Sequence, residues 1–172
     1  MGARNYLIEG VSCSGKTTVC DELLRRGFQA IHGDRQLAYQ GDPETGLPLP
    51  GRSHEHHIWD IEKVHQLVCD KSQPVTFFCG GSRNFHRFID WFDGVFILRI
   101  DADTLRHRLD RRPPDNWGGN PEQRALIEYL YKTGDGLPEN GIDIDATQPP
   151  EMVVDQILDS IAASENRPVK DQ

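Results

Sequence analysis

The sequence predicts a three-layer α/β/α sandwich on a five-stranded parallel sheet with a small lid. Two observations carry this prediction. Five short apolar runs alternate with segments of helical periodicity, which is the pattern of βαβ units whose crossover helices cover both faces of a sheet. A glycine-bearing loop at residues 10–17 stands between the first run and the first helical segment, a setting in which backbone N–H groups hold phosphate.

The elements follow in order. Residues 5–9 read as the first strand, and 16–26 as a helix with Val19, Leu23 and Leu24 on one side. Residues 28–31 form a second strand, followed by Gly33, Asp34 and Arg35. Gly41, Pro43, Gly46, Pro48, Pro50 and Gly51 make 41–53 a loop. Ser53, with Glu55 in the first turn, starts a helix that runs to about Asp70, on which Ile58, Ile61, Val64, Leu67 and Val68 recur at helical spacing. Residues 75–79 are a continuous apolar run of the kind buried on both faces, closed by Gly80 and Gly81. Residues 84–92 read as helix, with Phe85, Phe88, Trp91 and Phe92 toward the core. A fourth strand at 95–100 precedes a helix at 102–112, stopped by Pro113 and Pro114. A helix at 121–131, a strand at 141–146 and a helix at 150–162 complete the pattern. Residues 1–163 make a single domain, with a lid at about 113–122 and an acceptor-side segment at about 35–70; 164–172 read as a flexible polar tail.

Composition narrows the function. The chain has 172 residues, 37% apolar and 27% charged, which fits one globular domain and excludes a disordered chain. No apolar run approaches the ~20 residues that span a bilayer, and the N-terminus carries no signal-type apolar stretch, so no membrane partner is expected. Cys13, Cys20, Cys69 and Cys79 form no CxxC pair and read as reduced thiols of a cytoplasmic protein. A net charge of -8 argues against a nucleic-acid polymer as partner. The 14 arginines outnumber the 5 lysines, and Arg106, Arg108, Arg111 and Arg112 crowd one segment, which suits a small anionic ligand.

Gly10-Val-Ser-Cys-Ser-Gly-Lys-Thr17 matches G-x-x-x-x-G-K-[ST] in full. Gly10, Ser12, Cys13, Ser14, Gly15 and Thr18 then belong to a phosphate cradle, Lys16 reaches the terminal phosphates of ATP, and Thr17 offers its hydroxyl to Mg²⁺. Cys13 reads as a small residue that fits the loop. The chain has no N-K-x-D run for guanine, and its third strand ends in Cys79-Gly80-Gly81 without a Walker B aspartate. A small-molecule kinase is the class that remains.

By these residues the chain resembles the nucleoside/nucleotide kinase and shikimate kinase branch of P-loop proteins, in element order over roughly 5–162. It is also similar to small bacterial nucleoside kinase-like proteins in GDPETG, FFCGGSRN and NWG-x-x-PE. The resemblance implies a P-loop NTPase fold and Mg²⁺-ATP-dependent transfer of the γ-phosphoryl group to a small hydroxylated metabolite, a nucleoside or nucleotide first. A kinase for a sugar acid, shikimate-like acid or antibiotic, and an ATP-binding regulatory module without turnover, are the alternatives. It implies that Asp34 contacts Mg²⁺ or the acceptor hydroxyl, that Arg35 grips an anion, and that Gly80, Gly81, Arg83 and Asn84 touch the substrate. Ser82 replaces the third glycine of that turn, and His32-Gly33-Asp34 lacks the Asp-x-Asp of shikimate kinases. Glu9 resembles the E-G start of deoxynucleoside kinases. Arg108, Arg112 and Arg111 stand where lid arginines neutralise the transferring phosphate, with Gly118 and Gly119 giving the lid mobility. Thr147 and Gln148 stand at the adenine loop.

His54, His56 and His57, with Glu55, lack zinc-site spacing. They frame the acceptor pocket, His57 above all, or cap a helix in solvent. Trp59 either stacks on a planar acceptor or fills the core.

Overall fold

The computed structural model describes residues 3–165. In chain order its elements are β1 (Arg4–Glu9), α1 (Lys16–Arg25), β2 (Gln29–His32), α2 (Gly33–Gln36), β3 (Ala38–Gln40), β4 (His57–Trp59), α3 (Ile61–Cys69), β5 (Val75–Cys79), β6 (Gly94–Arg99), α4 (Ala102–Asp110), α5 (Pro121–Thr133), β7 (Ile142–Asp145) and α6 (Pro150–Glu165). The main sheet is five-stranded and parallel, in the order β2-β5-β1-β6-β7, with helices on both faces. This is the expected α/β/α sandwich.

Unbroken apolar strands feed two cores, because successive side chains point to opposite faces. Tyr6, Ile8, Phe77, Cys79, Phe96 and Leu98 pack under α1, α4, α5 and α6. Leu7 and Phe78 pack on the other side with Val64 and Val68 of α3 and with Trp59 and Phe88. The four cysteines are free thiols, and only Cys69 is exposed. Among the described residues no helix is long and apolar enough to cross a membrane.

Three elements differ from the sequence reading. The helix expected from Ser53 to Asp70 is two elements. Ser53 caps only a 3₁₀ turn at His54–His56, β4 follows, and Asp60 caps α3 by accepting from the N–H groups of Glu62 and Lys63 at 3.1 and 3.2 Å. β4 pairs antiparallel with β3, Ala38 opposite Trp59 and Gln40 opposite His57, so a hairpin replaces the first turns of the helix. The segment 84–92 is two 3₁₀ turns, Phe85–Arg87 and Ile89–Trp91. Its aromatic residues at 85, 88 and 91 repeat every three residues, which is the 3₁₀ period. Of the tail expected over 164–172, Ser164 and Glu165 are helical, since α6 continues to Glu165, whose carboxylate meets Arg4 at 2.5 Å; 166–172 lie outside the described residues.

The glycines of the 113–122 segment serve close packing. A Cβ at Gly118 would stand 2.8 Å from Ile127, and one at Gly119 only 2.4 Å from the Pro113 carbonyl.

β4 is three residues long and has no strand on its second side, yet Trp59 is fully buried. The Asn84 side chain supplies what a strand would. Its Oδ1 accepts from Trp59 N at 3.0 Å and its Nδ2 donates to Trp59 O at 2.9 Å. Asn84, expected at the substrate, is thus a buried structural residue. Asn84→Ala should lower the unfolding free energy in urea by about 3 kcal/mol, since buried main-chain groups would lose their partners. A loss under about 1 kcal/mol would mean that the hairpin is held otherwise.

Candidate active site

The carboxyl ends of β1, β5 and β2 open into one cavity of about 710 Å³. β1 is the central strand, where the chain's crossovers change direction, and α/β proteins take ligands at such a switch point. The 10–17 loop forms one end of the cavity. Asp34, the 52–57 segment, Gly81 and Arg83 form the other, and Trp117 with residues 135–137 stands over it.

The loop is shaped by two left-handed residues, Cys13 at φ 70 and Gly15 at φ 106. Cys13 is the only non-glycine with positive φ among the described residues, so the strain is confined to this curl. Gly10 cannot carry a side chain, because a Cβ would stand 2.4 Å from Ser14 Oγ. α1 begins at Lys16 with no side-chain cap and no acid in its first turn. Its first N–H groups are therefore left for an anion. The Lys16 ammonium folds back onto the carbonyls of Gly10 and Val11. Thr17 and Thr18 are exposed at the cavity.

Arg108 and Arg112 turn toward this space from α4 and its end. Arg108 donates to Cys13 O and to Ala146 O, each at 2.9 Å, and so ties the loop to the end of β7. Arg112 donates to Trp117 O at 2.6 Å.

Away from the loop two carboxyl groups face the same cavity from different surroundings. Glu9 is 3% exposed. Burial pushes its pKa up to about 7, although Lys16 and the N–H of Gly10 pull it down. Burial also raises that of Asp34, but the hydrogen bond from His57, the charge of Lys16 and the N–H of Gly81 outweigh it and leave the group below its ordinary value. Asp34 Oδ1 meets His57 Nε2 at 3.1 Å and Gly81 N at 3.3 Å. Among the described residues Oδ2 receives no hydrogen bond.

Several expected residues lie elsewhere. Arg35, exposed on α2, and Arg111, exposed after α4, do not line the cavity, because the helical turn that aims Asp34, Arg108 and Arg112 inward aims these outward. Arg106 pairs with Asp103 at 3.3 Å. Thr147 is drawn into a turn by Asp145, its hydroxyl donating at 2.6 Å, so only Gln148 of that pair reaches the cavity. Gly80 stands behind the wall, where a Cβ would lie 2.9 Å from both Asp34 and Trp59. Trp59 is core, stacked on Phe88 at 5.7 Å.

The structure adds Arg52, Trp117 and the turn around Asp135 to the cavity. Gly134 and Gly136 signal a turn in the sequence, but no spacing tells that it folds over the site. Arg83 lies across that turn, its guanidinium where a Cβ of Gly136 would be. Among the described residues neither Arg52 nor Arg83 has a carboxylate within 4.0 Å.

Glu9 couples stability to pH. In the unfolded chain it titrates near 4.5 and in the folded chain at about 7. Folding takes up a proton between those values, so Glu9's contribution is fullest below 4.5 and falls as pH rises through 7, by up to about 3 kcal/mol. Glu9→Gln should remove this slope from urea unfolding measured between pH 5 and pH 8. A variant with the wild-type slope would place that proton on another group.

Residues 7–126 match a family model described as an AAA domain. No curated protein matches the chain. Solved structures share its fold at low identity. A shikimate kinase from Acinetobacter baumannii in complex with shikimate is 18% identical, with 96% of each chain covered and a TM-score of 0.64. A gluconokinase from Sinorhizobium meliloti is 20% identical, with 93% of this chain and 92% of that chain covered and a TM-score of 0.60. A sugar kinase from a Janibacter species is 18% identical, with 93% and 95% covered and a TM-score of 0.58. The architecture is thus that of P-loop small-molecule kinases, and since the family match spans well over half of the sequence, the chain belongs to the AAA domain family.

Proposed function

We propose that the protein is a Mg²⁺-ATP-dependent kinase that phosphorylates a hydroxyl of a small anionic metabolite. The observation that carries this reading is one cavity with an uncapped P-loop helix and Lys16 at one end and the Asp34 carboxylate at the other. The loop N–H groups and Lys16, released from its two carbonyls, hold the phosphates. Asp34, held below its ordinary pKa, is ionised at neutral pH and accepts the proton of the acceptor hydroxyl as that oxygen bonds to the γ-phosphorus and ADP leaves. Arg108 and Arg112 stand where charge builds on the transferring group.

Among the described residues no three His, Cys, Asp or Glu side chains gather into a metal site. That donor set suits Mg²⁺, which keeps waters and phosphate oxygens and needs few protein ligands. Thr17 would hold it and it would supply charge neutralisation, while the free oxygen of Asp34 is kept for the acceptor's proton.

The acceptor end favours an anion. Arg52 and Arg83 line it without carboxylate partners, and a guanidinium fork fits a carboxylate or phosphate. A hydroxy acid or a nucleotide meets this requirement and a neutral nucleoside does not. The shared fold of kinases described as acting on gluconate and shikimate supports the acid.

ADP release from Mg²⁺-ATP, measured against hydroxy acids, sugars, nucleosides and nucleotides, tests the reading. We expect turnover with an anionic acceptor and a loss of at least 10³-fold in a folded Lys16→Ala variant. Equal turnover in that variant would remove Lys16 from the chemistry. ATP binding with no ADP release for any acceptor would favour a regulatory module.

A further inference from the structure

We propose that His54 reads a second hydroxyl of the acceptor, one that is not phosphorylated, and that its stack on Trp117 joins this contact to the segment over the cavity. The inference rests on the kinase reading above but names a different contact.

Four buried polar side-chain atoms have no hydrogen-bond partner among the described residues: Asn5 Oδ1, Ser14 Oγ, His54 Nε2 and Trp59 Nε1. Asn5 and Trp59 belong to the interior. Ser14 and His54 both line the cavity, one at its phosphate end and one at its acceptor end. An unpaired buried polar atom is costly, so a site that holds one at each end is arranged for a ligand that pairs them. A phosphate held by the loop would pair Ser14. His54 needs another partner.

The chemistry of that partner follows from the imidazole. Burial, then the charges of Arg83, His57 and Lys16, lower its pKa to about 4, so the ring is neutral at physiological pH. A neutral imidazole makes a poor anion clamp beside two arginines. It pairs well with a hydroxyl, which donates or accepts to suit either tautomer. The ligand class is therefore a polyhydroxylated anion: arginines take its charge, Asp34 its reacting hydroxyl, and His54 a second one.

The ring is held in place from both sides. Ser53, the residue before it, donates its N–H to Gln40 Oε1 at 2.7 Å, which anchors the turn to β3. Trp117 lies parallel to it, 17° between planes and 6.2 Å between centroids, and the Trp117 carbonyl accepts from Arg112. His54 Nε2 has no solvent exposure in this arrangement. The stack must open for an acceptor to reach it and re-form once the acceptor is bound, so reading the hydroxyl is coupled to the segment that carries Arg112's partner.

His54→Phe keeps an aromatic ring against Trp117 and loses the nitrogen. D-Gluconate and shikimate would be titrated calorimetrically into wild type and variant, each with Mg²⁺ and a non-hydrolysable ATP analogue. The ¹⁵N resonances of His54 would be followed in the wild type. We expect at least one probe to bind wild type, to shift the His54 Nε2 resonance, and to bind the variant at least tenfold more weakly. The affinity for the ATP analogue should stay within twofold. Equal affinity of wild type and variant for the probe, or no probe that moves the His54 resonance, overturns the proposal. If the variant does not fold, the wild-type resonance decides alone. None of this needs turnover. Probe binding through His54 without ADP release would keep this inference and end the kinase reading. Turnover with an unmoved acceptor KM in His54→Phe would do the reverse.

Discussion

The backbone N–H groups at the start of α1 are left without a capping side chain or a nearby acid, and the rest of the site is arranged around those donors. Most helices fill such a position with Ser, Thr, Asp or Asn. Here Gly15 stands in the left-handed region, where no side chain can reach back. The curl that results must be held from outside, and Arg108 does so from α4. Its two bonds tie Cys13 to Ala146, so the phosphate loop and the end of β7 move as a unit. Arg108 therefore has a structural task before any phosphate is present, unlike a lid arginine that swings in.

A second constraint places the side of the cavity that carries Asp34 and His57. The β3–β4 hairpin lies outside the main sheet and is too short to hold itself. It is pinned by Trp59, which stacks beneath Gly33 and Gly80, and by Asn84, which pairs with Trp59's main chain. Those contacts bring His57 to Asp34 and bring Arg83 N to His57 O at 2.9 Å. Ser82, which stands where shikimate kinases have a third glycine, is buried against the same pair of residues. The substitution does not open the turn to substrate; it locks the turn to the hairpin.

The curl of the 10–17 loop was legible because backbone geometry dictates residue type. Gly10 and Gly15 are required by a close approach and a left-handed turn, and Lys16 and Thr17 follow from the ligand's charge. The parallel strands were legible because a run such as Thr76-Phe77-Phe78-Cys79 must be covered on both faces. The surroundings of Asp34 were not. Ile58, Ile61 and Val64 satisfy a helical period whether or not a helix starts before them, and only the tertiary pairing of Trp59 with Ala38 and Asn84 makes Ile58 a strand residue. Arg35 sits beside Asp34 in sequence but on the outward side of a single turn. Arg52, Asp135 and Trp117 reach the cavity through loop paths that no periodicity encodes.

The two carboxyl groups Glu9 and Asp34 show how one small volume gives similar side chains different charge states. Glu9 ends the central strand, is nearly sealed from solvent, and holds its proton until pH about 7. Asp34 has His57, Gly81 and Lys16 to stabilise its charge, and so stays ionised. Two ionised carboxylates side by side would repel both each other and incoming phosphate. Keeping Glu9 partly neutral lowers that repulsion, while Asp34 stays ionised with one oxygen free of hydrogen bonds among the described residues. On the reading proposed above, the division also lets the cavity hold acids while an anionic nucleotide is drawn toward a molecule of net charge -8. The acids of the surface set the overall sign, while Lys16, Arg52, Arg83, Arg108 and Arg112 set the local one, and within the cavity's low-dielectric walls the local sign governs what binds.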